Sequence, residues 1–142
     1  VPVDMTHFYH ASIGNFGSFN RYGKPMKNYY ALKAFARLAE MSQRIESSGD
    51  IPSRFSVCGG IDSEKEKILI LTSNFDASHK NILFNFRNLP WEGPISLQLS
   101  TLNRERNLEI ILTQQFQSGE FKFLTELNTP EIHLFELKPV SD

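Results

Sequence analysis

Cysteine is almost missing from this sequence: Cys58 is the only one in 142 residues. The chain can therefore form no internal disulfide and has no second thiol with which to build a metal site. Cys58 itself reads as a small buried apolar residue in a strand. An excess of one charge is missing too. Fifteen Lys and Arg stand against sixteen Asp and Glu, a formal net charge of −1, which leaves no broad field to hold phosphates or anionic lipid. Nucleic acid and membrane surfaces are excluded as expected partners. No apolar run approaches the ~20 residues needed to span a bilayer. The opening Val-Pro-Val-Asp-Met-Thr has neither the basic region nor the apolar core of a secretory signal.

The motifs of most enzyme classes are absent as well. There is no G-x-S-x-G elbow, no P-loop and no dinucleotide fingerprint, so serine-hydrolase and nucleotide chemistry have nothing to stand on. The four histidines do not form a ligand set. His7 and His10, three apart in an extended segment, point to opposite faces. His79 falls in a turn and His133 in the last strand. We expect no metal site and no cofactor. Acids are scarce where the chain begins: before Arg37 the only one is Asp4. Glu64, Glu66, Glu105, Glu109 and the other acids of the later part fall in turns or at outward strand positions and read as solvated surface.

What is present suits one ordinary domain, with 40% hydrophobic and 12% aromatic residues, enough to bury about two thirds of the unfolded surface. The organising stretch is residues 14–38, GNFGSFNRYGKPMKNYYALKAFARL. A short strand over residues 3–11 leads into a loop with Gly14 and Gly17, then a turn at residues 20–23. Pro25 suits the first turn of a helix. Met26, Tyr30, Ala34, Leu38, Met41 and Ile45 recur at helical spacing, with Leu32, Phe35 and Ala39 widening the stripe, so the pattern predicts a helix over residues 25–45. Lys27, Lys33, Arg37, Glu40 and Arg44 form its solvated face.

Residues 47–53, with Gly49 and Pro52, read as a linker. Beyond it, short apolar runs alternate with turn clusters at sandwich-like spacing. The expected strands are residues 54–59, 67–74, 81–88, 94–101, 107–115, 121–127 and 131–138. Ile95, Leu97 and Leu99 alternate with Ser96, Gln98 and Ser100, one face in the core and one outward. The run KILILT at residues 67–72 is apolar on both faces, which makes it a central strand whose second face the helix covers. Residues 91–94 and 117–120 read as hairpin turns. The expected fold is mainly β: an antiparallel β-sandwich of about seven strands preceded by one strand and one long amphipathic helix.

The run Gly14-Asn15-Phe16-Gly17-Ser18-Phe19, then Gly23-Lys24-Pro25, then Tyr29-Tyr30-Ala31-Leu32-Lys33-Ala34-Phe35 resembles the last strand, loop and helix of the (β/α)8 barrel in retaining glycoside hydrolases of family 39, the β-xylosidase and α-iduronidase type. Residues 68–75, 102–107 and 129–138 resemble phrases of the small C-terminal β-sandwich of those enzymes. The resemblance implies three segments: residues 1–46 as the last strand-loop-helix unit of a truncated barrel, residues 47–53 as linker, and residues 54–142 as a C-terminal accessory sandwich. It also implies that the paired catalytic carboxylates, about 5 Å apart in a retaining enzyme, lie upstream of Val1. No catalytic residue is expected in this chain, which by itself is expected to be catalytically silent.

In an intact parent, the loop after the last barrel strand would open on the substrate cleft. His10, Asn15 and Phe16, together with His7 and Tyr9, are then the candidates for sugar contact. Trp91, in a turn, is a further candidate as an aromatic platform. The implied partner is the rest of the barrel, and the implied location is secreted or periplasmic. Two other roles compete: a carbohydrate-binding sandwich that holds glycan itself, and a protein-interaction domain that self-associates through the helix.

Overall fold

In the computed structural model, the described residues are 12–14, 17–117 and 119–140. They hold one helix, α1 (Lys27–Ala39), and eight strands. The strands are β1 (Gln43–Ile45), β2 (Phe55–Ile61), β3 (Ile68–Asn74), β4 (Asn81–Phe86), β5 (Ile95–Leu102), β6 (Asn107–Phe116), β7 (Phe121–Glu126) and β8 (Glu131–Pro139). The fold is mainly β, and every strand pair is antiparallel. All seven strands expected from the alternation are present. The strand expected over residues 3–11 lies outside the described residues.

The strands make two sheets, a six-stranded one in the order β1-β2-β3-β8-β5-β6 and a two-stranded ribbon, β4-β7. The ribbon roofs one face of the large sheet. Phe84 and Phe86 of β4 and Phe123 of β7 meet Phe135 of β8, with ring centroids 4.8, 6.0 and 5.9 Å apart, over a floor that includes Ile68, Ile95, Leu97, Leu99 and Leu137. On the other face of the same sheet, Ala34 and Leu38 of α1 pack on Leu69 and Leu134, with Met41, Cys58 and Leu71 alongside. Successive residues of β3 thus go to opposite apolar layers, as KILILT requires: Ile68 and Ile70 to the roof side, Leu69 and Leu71 to the helix side. The molecule is three layers deep, with helix, sheet and ribbon in that order.

Three expectations change. The helix is shorter than residues 25–45. At its start, Phe19 bridges Pro25 and the Met26 N–H donates to the Ser18 carbonyl at 2.8 Å, so Pro25 and Met26 are held extended and the helix begins at Lys27. At its end, residues 43–45 leave the helix and join the sheet as β1, against residues 59–61. Gly59 and Gly60 make this possible. A Cβ at Gly60 would lie 2.6 Å from Met41 Cβ, and one at Gly59 would lie 2.6 Å from Ile45 Cγ1. Met41 and Ile45 therefore sit directly on the β2 backbone, one on each face.

The turns at residues 91–94 and 117–120 are not hairpins. Each carries the chain between the two sheets, from β4 to β5 and from β6 to β7. The tight reversals lie elsewhere. At residues 62–67, Asp62 Oδ1 accepts the Glu66 and Lys67 N–H groups. At residues 103–106, Asn103 Oδ1 accepts those of Glu105 and Arg106.

The charged stripe of α1 is not wholly solvated either. Arg37 pairs with Glu136 of β8, and Lys27 Nζ reaches Asn107 Oδ1 at 2.6 Å and the Arg106 carbonyl at 3.0 Å. The basic residues that the pattern assigned to water anchor the helix along the sheet. The face turned away from the sheet carries Leu32, Phe35, Ala36 and Ala39, all exposed.

Candidate functional site

The loop expected to face a sugar is described only from Gly17 onward. His10, Asn15 and Phe16, and with them His7 and Tyr9, lie outside the described residues. Gly17 and Ser18 are buried, and the first turn of α1 holds the loop, with Asn28 Nδ2 donating to the Gly17 carbonyl at 2.9 Å. Glycine is required at position 17, because a Cβ there would lie 1.7 Å from the Ser12 carbonyl oxygen.

Trp91 is half-buried, packed against the main core, and its indole N–H donates to the Lys65 carbonyl. The ring closes the end of the sandwich where the turn at residues 62–67 enters β3. Residues 17–28 stand at the other end, because Lys27 reaches the turn that follows β5 while Ile68 pairs with Leu137 and Leu102 with Ile132. Among the described residues, the structure does not bring Trp91 to the loop that precedes the helix.

A polar cluster that the pattern reading passed over lies inside the sandwich at that second end. Glu131 is only 6% exposed and His133 1%, so Glu131 departs from the solvated reading given to the acids. Glu131 Oε1 accepts from Thr101 Oγ1 at 2.7 Å and Asn103 Nδ2 at 2.8 Å, and Oε2 accepts the Asn128 N–H at 2.7 Å. His133 Nε2 lies 3.6 Å from Glu131 Oε1, and His133 is flanked across the sheet by Thr72 and Thr101. Burial alone would raise the Glu131 pKa, but the hydrogen bonds from Thr101, Asn103 and Asn128 and the nearby His133 hold it below 4.5. Burial holds His133 below 6.5 despite the opposing pull of Glu131. Strand parity carries the signal for this cluster: Glu131 and His133 share their face of β8 with Phe135 and Leu137.

This arrangement does not make a nucleophile. Thr101 is fully buried and His133 nearly so, so no substrate reaches them from solvent. The cluster fixes the turns at residues 103–106 and 127–130 to the sheet. Asn74, buried on the same side, does the same for the next loop, donating to the Leu127 carbonyl at 2.8 Å and accepting the Ala77 N–H at 2.9 Å.

An open groove of about 780 Å³ runs beside β4. Ile45, Val57, Ile61 and Ile70 line it from the large sheet, residues 46–49 from one side, and residues 82–90 from the other. Its floor is aliphatic while its rim is polar, with Glu46, Ser47, Ser48 and Arg87, and it holds no pair of carboxylates placed for acid and base work. Among the described residues, no three His, Cys, Asp or Glu side chains gather as a metal site, and no helix is long and apolar enough to cross a membrane.

The helix-sheet-ribbon arrangement is found within glycoside hydrolases. It superposes on part of a glucosidase from Croceicoccus marinus (TM-score 0.82, 14% identity, 89% of this chain and 34% of that one). It matches the GH39 enzyme from Xanthomonas axonopodis pv. citri (TM-score 0.69, 12% identity, 88% and 32%) and a GH30 endoxylanase from Clostridium papyrosolvens (TM-score 0.66, 16% identity, 88% and 31%). The chain thus spans about a third of the length of these structures, and at such identities the likeness is one of fold. No family model matches the sequence, and no curated protein matches it.

Proposed function

We propose that this chain is a non-catalytic accessory domain, the C-terminal part of a retaining, β-xylosidase-like glycoside hydrolase, and that it acts by docking on the catalytic barrel of that protein. The observation that carries the reading is the second face of α1. One side of the helix is satisfied by the sheet, yet the other presents Leu32 at 42% and Phe35 at 56% exposure, with Ala36 and Ala39 beside them and no charge between. A surface helix with nothing to cover keeps that stripe polar. An apolar patch of this kind marks a contact, and the matching glycoside hydrolases are about three times as long as the region they share with this chain.

In this reading residues 1–46 supply the last strand-loop-helix unit of the barrel and end in β1, which already belongs to the large sheet, residues 47–53 link, and residues 54–142 form the rest of the accessory sandwich. His10, Asn15 and Phe16 would stand at the cleft of the intact protein. Trp91, tied into the core, serves the fold. The catalytic carboxylates belong to the barrel, and the acids of this chain take structural roles, as Glu131 does with its three donors.

The purified chain is expected to release no nitrophenol from aryl xylosides or aryl glucosides, and to give no binding heat with xylo- or gluco-oligosaccharides. Turnover by the chain alone would overturn the reading. Binding heat abolished by Trp91→Ala would replace it with a carbohydrate-binding module.

A further inference from the structure

Among the described residues, three buried side-chain atoms find no hydrogen-bond partner in the protein: Ser18 Oγ, Thr72 Oγ1 and His133 Nδ1. Ser18 belongs to the loop before α1. The other two are neighbours, because Thr72 of β3 stands directly across from His133 of β8, and strand parity puts both side chains on the ribbon side of the sheet. Thr72 is 0% exposed and His133 1%.

The polar residues around this pair are satisfied. Thr101, on the other flank of His133, donates to Glu131, and Asn74 both donates and accepts. What else surrounds the pair is apolar: Val57 flanks Thr72, and Phe135 meets the His133 ring edge-on, with centroids 6.0 Å apart. Thr72 also breaks a pattern, since it follows Ile68 and Ile70 on a face that is otherwise aliphatic along β3. A hydroxyl in such a place adds nothing to packing and demands a partner.

The proton on the imidazole decides which partner that is. Burial keeps His133 neutral at pH 7, so one ring nitrogen carries hydrogen and the other accepts. Nε2 lies 3.6 Å from the ionised Glu131 Oε1, which only accepts, so the hydrogen belongs on Nε2. Nδ1 is then a bare acceptor that needs a donor. Side chains directly opposite in an antiparallel ladder have Cβ atoms about 4.5–5.5 Å apart, and one water with two bonds of about 2.8 Å spans such a gap.

We propose that Thr72 and His133 form a binding site for a single internal water molecule. The Thr72 hydroxyl donates to the water, and the water donates to His133 Nδ1. Two polar partners suffice for a buried water, whose usual place is between groups that the protein leaves unpaired. The water extends the polar cluster from β8 to β3. It also fixes the tautomer that turns Nε2–H toward Glu131, and through Glu131 it connects with the turns at residues 103–106 and 127–130.

Oxygen-17 magnetic relaxation dispersion counts long-lived internal waters in solution and is blind to hydroxyl protons. Thr72→Val, which keeps the shape and removes the hydroxyl, is expected to lower the count by one, while Thr72→Ser keeps it. A count unchanged by Thr72→Val, or lowered equally by Thr72→Ser, overturns the proposal. Crystals of the unsubstituted chain give a reading that depends on no variant. One water within about 3.2 Å of both Thr72 Oγ1 and His133 Nδ1 is expected in the electron density. A direct bond between those two atoms, or no density between them, overturns the proposal.

Discussion

Glu131 enters the sandwich as a charge and stays one because three donors meet it, from Thr101, Asn103 and the Asn128 backbone. Its ionised form is favoured in the fold, with the pKa held below 4.5. The stability it contributes is complete above pH 4.5 and is lost as pH falls through the lowered folded value. Glu136 acts in the same direction: burial opposes its charge, but Lys138, 2.5 Å from Oε1, together with Arg37 and Lys67, outweighs burial. His133 works over a higher range. Burial outweighs the pull of Glu131 and lowers the His133 pKa in the fold, so as pH drops through 6.5 the unfolded chain takes up a proton more readily than the folded one. The unfolded state then binds more protons and stability falls. A thermal melting series is therefore expected to show the midpoint declining below pH 6.5 and again below pH 4.5. His133→Gln should remove the first decline and leave the second. A wild-type midpoint that stays flat between 6.5 and 4.5 would refute the assignment.

At the scale of elements, β2 decides where the helix stops. Its two glycines leave bare backbone at the place where Met41 and Ile45 come down, and the chain exchanges another turn of helix for three residues of ladder. Gly60→Ala places a methyl 2.6 Å from Met41 Cβ. It is expected to destabilise by about 1–3 kcal/mol through overpacking, whereas Ser56→Ala at an exposed position of the same strand should stay within about 0.5 kcal/mol. Denaturant midpoints check both. This junction also marks how far the sequence can be read. The seven later strands are legible because each is a short apolar run bounded by turn residues, and the double-sided apolar run of β3 points correctly to a helical cover. Residues 40–45 continue the helical spacing without a break. What ends the helix is a pair of glycines some 15 residues further on in another strand, a tertiary cause with no local mark. The crossings at residues 91–94 and 117–120 look like hairpin turns for a related reason: turn chemistry reports that the chain bends, and says nothing about which sheet receives it.

Over the whole molecule, the large sheet is covered by α1 along its middle on one side and half-roofed by the ribbon on the other, and α1 turns an apolar stripe to solvent. For the isolated chain that stripe has a consequence: residues 1–142 are expected to self-associate at high concentration, and Phe35→Glu to return them to monomer with little change in melting temperature. Sedimentation velocity checks this, and a wild-type chain that stays monomeric throughout speaks against the docking role of α1. The stripe was partly legible, since Leu32, Phe35 and Ala39 exceed what one packing face needs. The buried pair Glu131 and His133 was legible only through strand parity, because their meaning depends on Thr101 and Asn103 of another strand. One topological detail bears on how such a molecule is made. β8, the last strand of the chain, lies between β3 and β5, so until it has been synthesised β1–β3 and β5–β6 are two separate fragments with raw inner edges. On the ribosome the sheet cannot grow stepwise with the emerging chain. It waits open, exposed to mispairing, and closes in a single late event when the final strand slides between its halves.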